Sequence, residues 1–131
     1  MRNLQTYDDF LFEFISHYQL DSIEIYADKL FKLIGVDIEF TKHFFDRVND
    51  SRNGKPITVE ELKDLFKRTY EQYRDKISTM QDQVEAVLFD MKSDINIPFV
   101  INVDKGELDL VTKTVMRKHD FKTYTKKLPV K

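Results

Sequence analysis

An α+β fold, with three to four N-terminal helices packed on one face of a small C-terminal antiparallel sheet, follows from two observations. Apolar residues recur at spacings of three and four through the first part of the chain, then at a spacing of two from Ile95 onward. The second observation is a tight, Gly-containing link, Lys105-Gly106, between two such alternating runs.

From Asp21 to Leu33 the apolar residues Ile23, Tyr26, Ala27, Leu30, Phe31 and Ile34 form one stripe, with Asp21 or Ser22 as N-cap and Gly35 closing the helix. A second helix is predicted from about Asp37 to Asn49, burying Phe40, Phe44 and Val48 and placing His43 beside Arg47 one turn on. Residues 49–56, Asn-Asp-Ser-Arg-Asn-Gly-Lys-Pro, read as a polar turn. Thr58-Val59-Glu60-Glu61 is a capping box, because the threonine oxygen and the glutamate three residues later satisfy each other's free amides. Leu62, Leu65, Phe66, Tyr70 and Tyr73 supply that helix with an apolar face, and a short fourth helix is predicted around Ser78 to Val87.

Ile95, Ile97, Phe99, Ile101 and Val103 then alternate with polar or smaller residues, as do Leu108, Leu110, Thr112, Thr114 and Met116. A two-residue link at Lys105-Gly106 sets Val103 against Leu108, Ile101 against Leu110 and Phe99 against Thr112, so both apolar rows share a face. A three-residue link would put them on opposite faces. Pro98 marks an edge or a bulge, since it cannot donate to a ladder. The other face of this hairpin displays Asn96, Asn102, Lys113 and Arg117 between Val100, Val111 and Val115, a cationic and partly apolar surface left open by the helices. Thr114 is predicted to face the core.

The 131 residues contain no cysteine, which excludes disulfides, thiolate metal sites and a Cys nucleophile and fits a reducing compartment. A domain of this length buries enough surface to fold without a staple. No apolar run approaches the roughly 20 residues needed to span a bilayer, and the start of the chain lacks a secretory layout, so a soluble protein is expected. Net charge is −2 but unevenly spread: residues 1–40 carry 3 basic and 8 acidic groups, residues 111–131 carry 7 basic and 1 acidic. A basic end beside an acidic start points to an anionic partner or to an internal charge match.

His43, Arg47, Lys113 and Arg117 form the candidate catalytic set, with Arg52, Lys55, Lys118 and Lys122 as candidate nucleic-acid ligands. Metal-free RNA cleavage needs a base, an acid and fixed cations, and His, Arg and Lys can supply all three. The plain alternative is a surface histidine among solvated cations. Asp46, Asp50, Asp90 and Asp94 could be imagined around Mg²⁺, but nothing fixes their spacing and Asp94 suits a turn. Without a P-loop, dinucleotide turn, nucleophile elbow or paired zinc ligands, neither a cofactor nor a metal is expected.

Two stretches carry resemblances. Thr6-Tyr7-Asp8-Asp9-Phe10-Leu11-Phe12-Glu13 resembles the head-targeting leader of internal head proteins of large tailed bacteriophages (myoviruses), in which a prohead protease cuts after the Glu of a Leu/Ile-x-Glu site. That resemblance implies residues 1–13 as a leader with cleavage at Glu13, residues 14–131 as a single α+β domain, and head scaffold or prohead protease as partners. It also implies a location in the capsid interior and then the host cytoplasm. The same residues read equally as an amphipathic first helix with Tyr7, Phe10, Leu11 and Phe14 inward. The runs His43-Phe44-Phe45-Asp46-Arg47-Val48-Asn49-Asp50, Arg52-Asn53-Gly54-Lys55-Pro56-Ile57-Thr58, Ile95-Asn96-Ile97-Pro98-Phe99-Val100 and Lys113-Thr114-Val115-Met116-Arg117-Lys118 resemble an uncharacterised small-protein family of such phages.

The order of parts is also similar to barnase/RelE-like endoribonucleases. This analogy implies an RNA-binding or RNA-cleaving protein with His43 as acid or base and Arg47, Lys113 and Arg117 on the phosphate. A non-enzymatic virion component, or an inhibitor binding a host protein through the basic face, is the other reading, because fold does not fix function.

Overall fold

The computed structural model describes residues 15–131. The leader, its Glu13 and the apolar set Tyr7, Phe10, Leu11 and Phe14 lie outside the described residues. Helix α1 (His17–Lys32) starts earlier than predicted, because Ser16 and Gln19 form a capping box: the Ser16 hydroxyl accepts from the Gln19 amide at 3.1 Å and Gln19 Oε1 accepts from the Ser16 amide at 2.9 Å. Leu20, Ile23, Ala27 and Phe31 form its buried stripe. Gly35, with φ +76, turns the chain out of the helix.

The helix predicted over residues 37–49 is divided. Strand β1 (Val36–Phe40) comes first, with Val36, Ile38 and Phe40 buried and Asp37 and Glu39 exposed; helix α2 (Lys42–Val48) follows, capped by Thr41. Phe40 belongs to both patterns: it closes the two-residue alternation and opens the stripe Phe40, Phe44, Val48. Its ring stacks on Phe44 at 4.4 Å and lies 5.7 Å from Phe66. A 3₁₀ turn (Ser51–Asn53) and helix α3 (Val59–Ser78) come next, the latter with the predicted Thr58–Glu61 box.

The predicted fourth helix is overturned. Residues 85–90 form strand β2 (Glu85–Asp90), whose Ala86, Val87 and Leu88 are all buried. A run buried on both faces carries no alternation, so its period does not separate strand from helix.

Strands β3 (Ile95–Asp104), β4 (Glu107–Thr112), β5 (Met116–Arg117) and β6 (Lys126–Val130) complete one sheet of order β1-β4-β3-β2-β6, with β5 paired to β3. The α+β class holds, with the described helices mostly ahead of the sheet. The sheet itself is mixed: β1 runs parallel to β4 and β2 parallel to β6, while the β2–β3, β3–β4 and β3–β5 pairs are antiparallel. The hairpin has the predicted register, Val103 against Leu108, Ile101 against Leu110 and Phe99 against Thr112. Lys105 at φ 51 and Gly106 at φ 83 give the left-handed pair that a type I′ link requires.

Both sheet edges are closed. Asp28 and Glu24 of α1 accept hydrogen bonds from the Ile38 and Phe40 amides on the outer side of β1, at 2.9 and 2.5 Å. On the other edge the Gln72 side-chain amide exchanges two bonds with the Lys131 backbone, and the Tyr73 hydroxyl donates to the Pro129 carbonyl. Such cover removes free strand templates.

Opposite Pro98 the ladder slips. Phe99 faces Thr112, but Asn96 faces Met116, so one extra residue sits between β4 and β5. The Lys113 amide donates to the Pro98 carbonyl at 2.7 Å, and the bulge anticipated at Pro98 is present. A one-residue slip reverses which side chains face the helices. Arg117 consequently lies opposite Ile95, on the helix side, whereas Lys113 remains on the outer face.

Candidate nucleic-acid interface

The bulge and the end of α2 enclose a cleft of about 530 Å³. His43, Arg47, Asp50, Arg52 and Asn53 line one wall; Thr114, Val115, Met116, Arg117 and Lys118 line the other. The predicted adjacency on α2 is real: Arg47 Nε donates to His43 Nε2 at a long 3.4 Å.

Asp50 organises the first wall. Its carboxylate accepts from Arg47 Nη1 at 2.9 Å, from Arg52 Nη2 at 2.8 Å and from the Arg52 amide at 2.8 Å, where it caps the 3₁₀ turn. The Arg52 side chain and amide, and then Arg47, hold the Asp50 carboxyl far below the ordinary carboxylate range. Asp50 is therefore an anion that orients two guanidiniums, with both oxygens engaged by them. Arg52 keeps 73% of its side chain in solvent and Lys118 is exposed.

Arg117 has a different role from the predicted one. Its Nε donates to the Lys55 carbonyl (3.0 Å), Nη1 to Ser93 O (2.8 Å) and Glu61 Oε2 (3.1 Å), and Nη2 to Pro56 O (2.7 Å) and Glu61 Oε1 (2.7 Å). A guanidinium has five N–H groups, and all are used. Arg117 therefore clamps β5 to α3 and has no donor left for a phosphate. Burial pushes the Glu61 carboxyl up, but Arg117 and the Thr58 amide outweigh it, and the group stays below its ordinary value.

Lys113 does not reach the cleft. It ion-pairs with Glu85 at 2.7 Å on the outer face of the sheet, with both side chains about half exposed. Its separation from Arg117 corrects the predicted shared strand face, and the bulge is the cause. Thr114, predicted to face the core, lines the cleft, and Val115, 1% exposed, takes the inward position. Lys55 and Lys122 are exposed outside the cleft.

Asn53 carries no such signal in the sequence, where Asn53-Gly54 marks only a turn. Only 8% exposed, it donates to the Arg47 and Val48 carbonyls at 3.2 Å and accepts from the Arg117 amide at 3.0 Å, joining both walls. The four carboxylates considered for Mg²⁺ do not converge: Asp50 serves the arginines, Asp90 meets Arg68 at 2.9 Å, and Asp94 meets His119 at 3.1 Å, while Asp46 is exposed. No group of three metal-ligating side chains occurs among the described residues. No helix there is long and apolar enough to cross a membrane.

Arg47, Arg52, Arg117 and Lys118, set against Asp50 and Glu61, leave the cleft with a formal charge of +2. Among elements of one small sheet, such a field attracts anions and weakens with salt. Neither a family model, a curated protein nor a solved structure matches this chain, so its functional reading rests on the cleft alone.

Proposed function

We propose that the cleft binds the phosphate backbone of a nucleic acid, RNA before DNA, without requiring a metal. The observation that carries this reading is the Arg47–Asp50–Arg52 arrangement. One carboxylate holds two guanidiniums at the cleft wall: Arg52 gives Asp50 its Nε and Nη2 edge, and its Nη1, in no hydrogen bond among the described residues, is left to donate to a phosphate oxygen. The test is binding of a labelled RNA oligonucleotide across a salt series. Affinity should fall by roughly 0.7 log units per log unit of salt for each phosphate neutralised on a single strand. A flat response, or no binding at low salt, would remove this reading in favour of the host-protein inhibitor.

RNA cleavage is the second reading. His43 favours it by lying in the same cleft as Arg47 and Thr114. The phage setting, with the chain packaged in the head and delivered with the genome, belongs to the same proposal. The N-terminus found in purified virions tests it: a chain beginning at Phe14 supports leader removal, and an intact Met1 counts against it.

A further inference from the structure

Beyond the cleft, the chain runs from β5, beside one flank of β3, to β6, on the far flank of β2. It must cross both strands. The helices occupy one face, and the crossing lies on the other: Lys127 Nζ sits 5.1 Å from the Phe89 ring and 6.0 Å from the Phe121 ring, which places Phe121 over the outer face beside Phe89. The carbonyl of Lys118 is fixed at the start of this span by the Asn96 side chain, 2.9 Å away. At its end Lys127 lies opposite Val87 on this outer face, whereas Lys126, opposite the core residue Ala86, turns to the helix side. Lys118 belongs to the cleft, so the crossing and the cleft form one continuous surface.

Along this span Lys118 and Lys122 are both exposed, with Asp120 as the only acid from residue 111 to the end. Neither lysine forms an ion pair among the described residues. Two residues beyond Lys122 stands Tyr124, fully exposed. The rings of Phe89 and Phe121 already carry the Lys127 ammonium, whereas Tyr124 offers a free aromatic face among cations. Cations that follow a backbone, combined with an aromatic face that takes a base, are how proteins hold single strands. A duplex keeps its bases stacked on each other and presents no face to such a ring.

We propose that the crossover from Lys118 to Tyr124 is a single-strand track, with phosphates on Lys118 and Lys122 and one base stacked on Tyr124, so that the ligand of the cleft is a single-stranded nucleic acid. This rests on the nucleic-acid reading of the cleft and names its substrate class.

The experiment compares the full chain and its variants on three probes of equal length: a single-stranded oligonucleotide, its hairpin duplex, and an abasic strand with the same phosphates. The single strand should bind more tightly than the duplex. Tyr124→Ala should lower affinity for the base-bearing strand by about 5- to 150-fold, leave the abasic strand unchanged, and be rescued by Tyr124→Phe. Because Tyr124 packs on nothing, its removal should leave the fold intact, and a circular dichroism melt checks this. If the abasic strand binds in an Arg52-dependent way but Tyr124→Ala has no effect, or the duplex binds as tightly as the single strand, the track is overturned while the cleft reading stands. If the wild-type chain binds none of the three probes, or binds only an acidic polypeptide, the cleft reading itself is overturned and the track falls with it.

Discussion

Arg117 and Glu61 meet on the helix side of the sheet through two hydrogen bonds of 3.1 and 2.7 Å, while Lys113, four positions earlier, lies on the opposite face against Glu85. One bulge separates them, and it turns a candidate phosphate ligand into a structural clamp. Arg117→Ala should therefore cost stability. Its side chain is 11% exposed and Glu61 keeps 24% of its own in water, so the expected loss is about 2–3 kcal/mol, less than for a fully buried pair. A denaturant midpoint reads this. Unchanged stability with reduced RNA affinity would instead make Arg117 a ligand.

The elements legible in the sequence are those whose signal is local. The capping box at Thr58 and Glu61 needs four residues, and the hairpin register follows from requiring Val103, Ile101 and Phe99 to share a face with Leu108, Leu110 and Thr112. The adjacency of His43 and Arg47 likewise follows from helical spacing. The face of Arg117 is not legible: the apolar pair Val115-Met116 favours neither face, and the slip arises across the ladder at Pro98, where only the proline hints at it. Strand β1 is hidden because Phe40 satisfies two periods at once, and β2 because Ala86, Val87 and Leu88 are buried together. Asn53 becomes important only when α2 and β5 meet around it.

A second clamp ties α3 to the end of β2. Arg68 donates to Asp90 at 2.9 Å and to Asp64 at 2.7 Å, and Asp90 is 1% exposed. Asp90→Ala should cost about 3 kcal/mol, the low end for a broken buried pair because Asp64 still holds Nε, and adding Arg68→Met should recover much of that loss. Burial pushes the Asp90 carboxyl up, but Arg68, the Ser93 hydroxyl and the Lys92 amide outweigh it and hold it below its ordinary value. A depressed carboxyl adds stability above its unfolded pKa, about 4, and loses it as pH falls through the lower folded value. Acid titration of Asp90→Asn should thus show a shallower loss of stability than wild type. Parallel curves would refute the linkage.

The acidic edge should behave in the opposite sense. Asp109 faces Asp37 across β4 and β1, and burial, followed by Asp37 and Glu39, raises its carboxyl above the ordinary value. A raised carboxyl contributes stability below its unfolded pKa, about 4, and that contribution is lost as pH rises through the folded value. Asp109→Asn should stabilise the protein at neutral pH by less than about 1 kcal/mol, given its solvent exposure, and make no difference in acid. Thermal melts at two pH values decide this.

Arg52 and Lys113 separate the two faces by experiment. If the cleft takes phosphates, Arg52→Ala should reduce the slope of log affinity against log salt by about 0.7 on a single strand, because one phosphate fewer is neutralised. Lys113→Ala should leave the slope unchanged, because its ammonium sits outside the cleft on Glu85. Equal effects from both variants would place the bound strand on the outer face of the sheet.

His43 decides between binding and cleavage. Transesterification of RNA needs one group to take the 2′ proton and another to protonate the leaving oxygen. Of the other side chains in this cleft, Asp50 is held as an anion by its two arginines, and Lys118 stands exposed on the opposite wall. Arg117, with every N–H committed to carbonyls and Glu61, cannot move onto a phosphorane without breaking the clamp. The wild-type chain should therefore leave RNA intact in the presence of EDTA, and His43→Ala should change affinity by no more than one weak hydrogen bond would. Metal-independent cleavage that His43→Ala reduces by about 10²- to 10⁴-fold, the usual size of a general acid or base contribution, would restore the ribonuclease reading and require a second proton carrier from the RNA or from solvent.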